Sequence, residues 1–276
     1  MHILTSVAAV RAARARHGSI GLVPTMGFLH EGHLSLVRRA KAECGAVAVS
    51  IFVNPSQFGQ GEDFQSYPRD LSRDLRCLEG ADVDLAFTPQ VAEIYPPGFD
   101  TRIDVGAVTR GLEGAARPGH FDGVATVVAK LLNIVQPTRA YFGQKDAQQA
   151  VVIQRLARDL DMACEIVIAP TVREADGVAM SSRNAYLSAA ERKAATVLIG
   201  ALTAGQACFS AGEMDAATLK AAILERLAAE PLARVDYVSV ADPETLAELS
   251  DARRGALVSL AVRIGPARLI DNLLLE

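Results

Sequence analysis

The fold is decided by the stretch Gly21-Leu22-Val23-Pro24-Thr25-Met26-Gly27-Phe28-Leu29-His30-Glu31-Gly32-His33-Leu34-Ser35-Leu36-Val37. An apolar run over residues 20–23 predicts a strand that stops at Pro24, and a helical pattern begins at Leu34. This order places free backbone N–H groups and the positive end of a helix dipole beside the carboxyl end of a strand. The glycines allow the backbone to come close to a ligand. The stretch therefore predicts an anion site, suited to phosphate.

Two histidines of this stretch, His30 and His33, are three positions apart. Imidazoles at this spacing can face one ligand at the start of a helix. A zinc-protease helix needs histidines at i and i+4, so the spacing and the helix-weakening Gly32 argue against that metal site. Taken alone, the stretch leaves two interpretations open: phosphate handling, or surface histidines without a role.

The composition indicates a globular enzyme of ordinary kind. The 276 residues are 50% hydrophobic and 22% charged, and the net charge of −4 argues against a nucleic-acid partner. Four cysteines are scattered without a CxxC pair, which predicts reduced thiols and a cytoplasmic location. No apolar run is long enough to predict a membrane-spanning helix.

Helical and strand patterns alternate through the first 170 residues, after an opening helix capped at Thr5-Ser6. The predicted strands cover residues 20–23, 47–53, 83–87, 140–142 and 165–169, and the predicted helices cover residues 34–46, 69–79, 121–135 and 147–160. This alternation predicts an α/β fold, with a Rossmann-like, doubly wound parallel sheet over residues 1–172.

A smaller α+β domain is predicted over residues 173–276. An alanine-rich helix over residues 188–209 begins with the capping-box pattern Ser188-Ala189-Ala190-Glu191, and a second helix covers residues 215–229. Alternating patterns over residues 235–240 and within residues 256–264 predict a small antiparallel sheet.

Polar clusters follow three of the predicted strands. They are Asn54-Pro55-Ser56-Gln57-Phe58-Gly59, Gly143-Gln144-Lys145-Asp146 and Met180-Ser181-Ser182-Arg183-Asn184, the last of which lies in the smaller domain. In a parallel sheet the carboxyl ends of the strands share one edge, where ligands collect. We therefore expect these clusters and the histidine turn to converge on one site.

Each cluster allows a functional and a structural interpretation. Lys145 suits a phosphate or a solvated helix start, and Asp146 suits a ribose hydroxyl or a helix cap. Ser181, Ser182 and Arg183 suit a polyphosphate or form an ordinary turn.

The amides of Asn54, Gln57 and Gln149 fit a hydroxylated, carboxylate-bearing small molecule; turn chemistry for Asn54 and plain surface for the glutamines are the alternatives. No covalent nucleophile stands out. The set of groups therefore favours phosphoryl or nucleotidyl chemistry by positioning and charge stabilisation.

Five motifs in order resemble the pantothenate synthetase (pantoate–β-alanine ligase) family. They are Pro24-Thr25-Met26-Gly27 with His30-Glu31-Gly32-His33, Phe52-Val53-Asn54-Pro55-Ser56-Gln57-Phe58, Arg117-Pro118-Gly119-His120-Phe121-Asp122-Gly123-Val124, Phe142-Gly143-Gln144-Lys145-Asp146 and Met180-Ser181-Ser182-Arg183-Asn184. The segment from His30 to His33 also resembles the HIGH signature of nucleotidyltransferases, and the segment from Met180 stands where their KMSKS loop would be. The likeness is densest before residue 190.

The resemblance implies a two-step reaction, in which ATP and pantoate give pantoyl adenylate and pyrophosphate before the amine of β-alanine displaces AMP. It implies that His33, His30 and Lys145 are catalytic, with His33 as proton donor. It implies that Gln57 and Gln149 bind pantoate, that Gln57 also binds β-alanine, and that Asp146 holds the ribose. Carried over position by position, the ATP site comprises Met26, Gly27, Phe28, Leu29, His30, Glu31, Gly32, His33, Gly143, Gln144, Lys145, Asp146, Val172, Met180, Ser181, Ser182 and Arg183.

The resemblance further implies Mg²⁺ and a homodimer. The sequence identifies no protein ligand for the ion beyond Asp74 as a candidate, and a magnesium ion held by ATP phosphates and water fits the family. The glycine-rich segment Gly59-Gln60-Gly61 is a candidate for a mobile flap.

Three other functions compete with this hypothesis. A transferase that moves AMP onto a phosphorylated acceptor would need further basic residues, whereas the acceptor side offers Asn54, Gln57 and Gln149. A regulatory module would bind ATP without turnover, which His33 and Lys145 argue against. A tRNA-charging role conflicts with an acidic chain of this length.

Overall fold

The structure, a computed structural model, describes every residue from Met1 to Glu276. It divides into two compact units: Met1–Gly143 with Val152–Pro170, and Gln144–Val151 with Thr171–Glu276. None of its helices combines the length and the apolar character needed to cross a bilayer.

The first unit is built on a six-stranded parallel sheet, which confirms the predicted α/β class. Its strands are β1 (His2–Leu4), β2 (Gly21–Thr25), β3 (Val47–Ile51), β4 (Leu85–Phe87), β5 (Arg139–Gly143) and β6 (Glu165–Ala169). In the spatial order β1-β4-β3-β2-β5-β6, the connections run to one side from β2 and to the other side from β5, so the order of strands reverses between β2 and β5. Ligands of such sheets bind at this reversal, outside the carboxyl ends of the strands.

Seven helices connect these strands along the chain. They are α1 (Val7–Arg14), α2 (Glu31–Cys44), α3 (Leu71–Gly80), α4 (Val91–Ile94), α5 (Leu112–Ala116), α6 (His120–Val135) and α7 (Ala147–Asp159). The strongly apolar α6 is buried along most of its length, as its composition predicts. The side chains of Val23, Val37, Val49, Leu78 and Tyr141 contribute to one apolar core between α2, α3 and the sheet.

Strand β2 does not stop at Pro24 as predicted, because Pro24 pairs in parallel register with Ser50 and the strand continues to Thr25. A proline in a central strand normally removes a ladder hydrogen bond. On the side of β5, however, pairing ends at Leu22, so Pro24 lies beyond that ladder. Strand β1 is not among the predicted strands, and α2 begins at Glu31 rather than at Leu34. Strands β3, β4 and β5 and helix α3 differ from their predicted bounds by one or two residues.

The second unit contains an antiparallel sheet in the order β7-β8-β9, as the alternating patterns predict. Its strands are β7 (Ala233–Ala241), β8 (Leu257–Ile264) and β9 (Ala267–Leu274), and its helices are α8 (Ala189–Ala194), α9 (Val197–Ser210) and α10 (Ala216–Ala228). Leu219, Ile223 and Leu227 of α10 share an apolar core with inward residues of β8.

The single helix predicted over residues 188–209 is in fact two. The helix is interrupted at Ala195 and Thr196, where the Thr196 and Leu198 N–H groups donate to carbonyls three residues back. The predicted capping box is present, because the Ser188 N–H donates to Glu191 Oε2 (2.8 Å) and the Glu191 N–H donates to Ser188 Oγ (3.4 Å). Alanine favours helix on both sides of the break, so the composition carries no signal for it.

Candidate active site

The turn that follows β2 has two consecutive residues in left-handed conformation, Gly27 (φ 85°) and Phe28 (φ 50°). A Cβ atom on Gly27 would lie 3.0 Å from Asp74 Oδ2 and 3.0 Å from Ile51 Cγ2. The Gly27 N–H donates to Thr25 Oγ1 (3.2 Å). Glycine is therefore required here by its backbone angle and by the close approach of α3.

The carboxylate of Asp74, in the first turn of α3, binds the backbone of the Gly27–Phe28 turn. Its Oδ2 accepts the Phe28 N–H and its Oδ1 accepts the Leu29 N–H, both at 2.7 Å. The side chain is only 1% exposed. This arrangement corrects the expectation that Asp74 is a candidate metal ligand, because both of its oxygens are buried against the backbone.

His30 and His33 meet at the start of α2. Their ring centroids are 4.0 Å apart, with an angle of 39° between the ring planes. The His30 backbone N–H donates to His33 Nδ1 (3.3 Å), and because an N–H only donates, a neutral His33 carries its proton on Nε2. The pair stands at the N-terminus of a 14-residue helix, where the dipole favours an anion. Glu31 is paired with Arg38 on the exposed side of that helix.

Asn54 caps the 3-10 turn that carries Gln57 and is buried behind it. Its Nδ2 donates to Gln57 Oε1 (3.0 Å) and to the carbonyl of Gly123 (3.1 Å), and its Oδ1 accepts the hydroxyl of Tyr95 (2.8 Å). Gln57 Nε2 in turn donates to Met26 Sδ (3.2 Å). The structure thus brings Gln57 against the turn after β2, with Asn54 as the support of Gln57.

A second support of Gln57 comes from α6 and its preceding turn. Arg117 donates from Nε and Nη2 to the Glu62 carboxylate, each at 2.7 Å, and from Nη1 to His120 Nε2 (3.0 Å). His120 Nδ1 then donates to the Gln57 carbonyl (2.7 Å). Burial, and the adjacent Arg117 cation, lower the pKa of His120 to about 4, so His120 is neutral near pH 7.

Helix α6 also approaches the Gln57 turn through its backbone. A Cβ atom on Gly123 would lie 2.3 Å from the Ser56 carbonyl oxygen and 2.6 Å from the Gln57 nitrogen. From sequence alone, the motif from Arg117 to Val124 has no assigned side-chain role. In the structure this motif supplies the surface that packs against the Gln57 turn, through Gly123 and His120.

In the second unit, Gln144–Asp146 form a 3-10 turn whose carbonyls are held by β9. Asn272 Nδ2 donates to the carbonyls of Gln144 (3.0 Å) and Lys145 (2.8 Å), and Asn272 Oδ1 accepts from Gln144 Nε2 (3.1 Å). The Lys145 ammonium lies 3.5 Å from Asp146 Oδ1. Gln149 follows in the first turns of α7 and is half-buried.

A short hairpin precedes the serine pair. The Met180 N–H donates to the Val172 carbonyl (3.0 Å), and Arg173 and Ala179 form an isolated antiparallel β-bridge across the hairpin. Ser181 caps the following 3-10 turn, with its Oγ accepting the Arg183 N–H (3.3 Å), while Ser182 is buried. The turn role that the sequence left open for Ser181 is therefore present, and it leaves a phosphate role open for the segment.

The predicted site residues fall into two sets. Met26–His33, Asn54, Gln57 and Gly143 belong to the first unit, and Gln144, Lys145, Asp146, Gln149, Val172 and Met180–Arg183 belong to the second. In the first set, hydrogen bonds join Gln57 to Met26 and to Asn54, and His30 to His33. In the second set, Asn272 and Arg173 join the Gln144–Lys145 turn to the hairpin between Val172 and Met180. That both sets meet around one triphosphate stays a prediction. No group of three or more His, Cys, Asp or Glu side chains is arranged to hold a metal ion.

Comparison with known proteins gives one consistent result. The family model described as Pantoate-beta-alanine ligase matches residues 2–274. The chain is 62% identical over 276 residues to the pantothenate synthetase of Herpetosiphon aurantiacus, with 100% of each covered. It is 61% identical over 277 residues to that of Roseiflexus sp., again with 100% of each covered.

Solved structures agree with these relatives. Pantothenate synthetase from Thermus thermophilus matches with a TM-score of 0.97 and 54% identity, covering 100% of this chain and 99% of that one. Pantoate-beta-alanine ligase from Francisella tularensis, complexed with beta-gamma ATP and β-alanine, matches with a TM-score of 0.82 and 35% identity, covering 99% and 97%. The likeness extends over both units.

Proposed function

The chain belongs to the pantoate–β-alanine ligase family, and from that membership we infer that it condenses pantoate with β-alanine in an ATP-dependent reaction that gives pantothenate. A carboxylate and an amine do not condense in water without activation. ATP supplies the activation if its adenylyl group is transferred to the carboxylate of pantoate. The carboxylate oxygen, otherwise a poor leaving group, then leaves as part of AMP. The pantoyl adenylate is the intermediate that this requires.

In the first step a carboxylate oxygen of pantoate attacks the α-phosphorus, and the bond to the pyrophosphate oxygen breaks. Negative charge grows on the α-phosphate and on the departing oxygen. We propose that His33 donates a hydrogen bond from Nε2 to this charge and that His30 and the N-terminus of α2 add to its stabilisation. The observation that carries this role is the His30 N–H bound to His33 Nδ1, because it leaves Nε2 as the donor.

The other predicted ATP contacts are proposed with it. Lys145 and the Ser181–Arg183 segment would bind phosphate oxygens, since an ammonium, a guanidinium and hydroxyls all donate to phosphate. Asp146 would accept from a ribose hydroxyl. The remaining residues that the resemblance assigns to the ATP site would line the nucleotide.

In the second step the free amine of β-alanine attacks the carbonyl carbon of the adenylate, the bond to the phosphate oxygen breaks, and AMP leaves. The amide forms as the amine loses its proton. We propose that Gln57 binds pantoate and β-alanine and that Gln149 binds pantoate. For Gln57 the support is its placement against Met26, with Asn54 and His120 holding it from behind.

Mg²⁺ is proposed as part of the nucleotide substrate. Asp74, the one carboxylate considered for it, is buried against backbone N–H groups, and no acidic cluster is present. The ion would therefore arrive bound to ATP phosphates and water, where it neutralises phosphate charge. We also propose a homodimer, which light scattering on the purified protein tests, and a reducing cytoplasm as location, consistent with four free cysteines.

Isotope exchange between pyrophosphate and ATP tests the adenylate. With purified protein, MgATP and labelled pyrophosphate, exchange should require pantoate and should proceed without β-alanine. AMP and pantothenate should accumulate when β-alanine is added. Exchange that is independent of pantoate would overturn the substrate, and exchange that needs β-alanine would overturn the intermediate.

Replacement of His33 tests its role. His33→Ala should slow the exchange reaction by roughly a hundredfold or more, the usual cost of a lost charge-stabilising or general-acid group. His2→Asn, at an exposed histidine of the edge strand β1, is the matched control and should exchange at the wild-type rate. Near-wild-type exchange by His33→Ala would remove His33 from the mechanism.

A further inference from the structure

Two adjacent residues near the carboxyl end, Asp271 and Asn272, are polar yet nearly inaccessible, at 2% and 4% exposure. They lie in β9, an edge strand of the three-stranded sheet, and the other buried residues of that strand, Ala267 and Leu269, are apolar. Buried polar side chains in an apolar sheet are costly unless they are fully hydrogen-bonded. Their partners therefore indicate why the strand holds them.

All hydrogen-bonding groups of the Asn272 side-chain amide are bonded to the turn that carries Lys145. Its Nδ2 donates to two successive carbonyls, those of Gln144 and Lys145, at 3.0 and 2.8 Å. Its Oδ1 accepts the side-chain amide of Gln144 at 3.1 Å. Three bonds from one rigid planar group fix the backbone from which the Lys145 ammonium projects.

Asp271 holds the other loop. Its carboxylate accepts two bonds from Arg173, at 2.6 and 2.9 Å, in a bidentate pair. Arg173 Nη1 also donates to the carbonyl of Gly177 (3.0 Å), so the guanidinium spans the hairpin between Val172 and Met180. Asn184 Nδ2 donates to the Ala179 carbonyl (3.1 Å), which ties the segment after the hairpin to it.

We propose that Asp271 and Asn272 are positioning residues that set the geometry of both nucleotide loops of the second unit, the Lys145 turn and the Met180–Arg183 segment. Neighbouring residues of a strand point to opposite faces, so one dipeptide can brace two loops. The inference rests on the proposed function of these loops in binding ATP. It gives the carboxyl-terminal strand a role in nucleotide handling without any contact to the nucleotide.

The test is a set of variants in the intact chain: Asn272→Ala, Asn272→Asp and Asp271→Asn, with Lys145→Ala as reference. Asn272→Asp keeps the shape but has no N–H to donate, so it should behave like Asn272→Ala. Each should raise the KM for ATP and lower the rate of pyrophosphate exchange by about tenfold, as expected for lost hydrogen bonds. The KM for β-alanine should stay within about twofold of wild type.

Leu269→Ala is the matched control, because Leu269 lies in the same strand and is buried in the apolar core. It should lower the melting temperature while leaving the KM for ATP unchanged. A double variant, Asn272→Ala with Lys145→Ala, should weaken ATP binding by less than the sum of the two single effects, since part of the effect of Asn272 passes through Lys145. Additive effects would overturn this route. If Asn272→Ala fails to fold, Asn272→Ser takes its place, with a hydroxyl too short to reach both carbonyls.

The outcomes separate two failures. Wild-type protein that makes no pantothenate, or Lys145→Ala with wild-type KM for ATP, would overturn the proposed function. Active wild type and impaired Lys145→Ala beside an unaffected Asn272→Ala, or an Asn272→Asp that restores wild-type kinetics, would overturn the positioning role itself. A loss of stability alone, as in the Leu269 control, would show that the pair only braces the fold.

Discussion

Asp74→Asn is the most informative single substitution in the first unit. The wild-type carboxylate accepts the N–H groups of Phe28 and Leu29, one on each oxygen, both at 2.7 Å. An asparagine amide has only one oxygen. In either orientation of the amide, one backbone N–H loses its acceptor and faces an NH₂ group, so two donors oppose each other at a buried position.

The magnitude follows from these contacts. A hydrogen bond to a charged group contributes about 1.5–3 kcal/mol, and a buried N–H left without an acceptor costs a similar amount. Loss of one of the two bonds should therefore lower the free energy of unfolding by about 2–3 kcal/mol. Phe28 adds to the strain, since a left-handed backbone (φ 50°) is unfavourable for a residue with a Cβ atom and is held there by this bond.

Relaxation of the turn should also move the imidazole pair that follows it. Small displacements of catalytic groups are costly, so we expect pyrophosphate exchange to slow by roughly tenfold or more. Urea unfolding followed by circular dichroism measures the first effect, and the exchange assay measures the second.

Asp70→Asn provides the control within the same helix. Asp70 caps α3 by accepting the Arg73 N–H at 2.9 Å and is exposed. Its substitution should cost at most about 1 kcal/mol of stability and leave exchange unchanged. The reasoning is refuted if Asp74→Asn unfolds and exchanges like wild type, or if Asp70→Asn slows exchange as much as Asp74→Asn does.

Two further predictions concern the support of Gln57. Gly123→Ala should lower the free energy of unfolding by about 1–3 kcal/mol and raise the KM for β-alanine, because the new Cβ would lie 2.3 Å from the Ser56 carbonyl oxygen. Unchanged steady-state kinetics would contradict this close packing. Folding lowers the pKa of His120 from 6.5 to about 4, so between these pH values the unfolded chain binds a proton that the folded chain does not. The free energy of unfolding should therefore fall as the pH drops through that range, by at most about 3 kcal/mol. Urea titrations across the range should show a weaker pH dependence for His120→Asn, and an identical dependence would contradict the buried neutral imidazole.

The sequence alone determined the elements and the chemistry that they carry. Strand β6 occupies the predicted residues 165–169, α6 begins one residue before its predicted start, and the Ser188–Glu191 capping box forms as predicted. These features depend on neighbours within a few positions, and local periodicity and capping chemistry encode such contacts directly. The motifs likewise identified the family, because residue type and spacing within a motif are local properties.

Tertiary structure alone decided which groups hold those motifs in place. Asp74 binds backbone groups 46 and 45 residues away, and Asn272 binds a carbonyl 127 residues away. A carboxylate or an amide in a sequence specifies what it can bond to but not which partner it meets, since the partner is chosen by how strands and helices are ordered in space. The passage of β2 through Pro24 and the support of Gln57 by α6 have the same origin. Each depends on packing between segments that no short stretch of sequence contains.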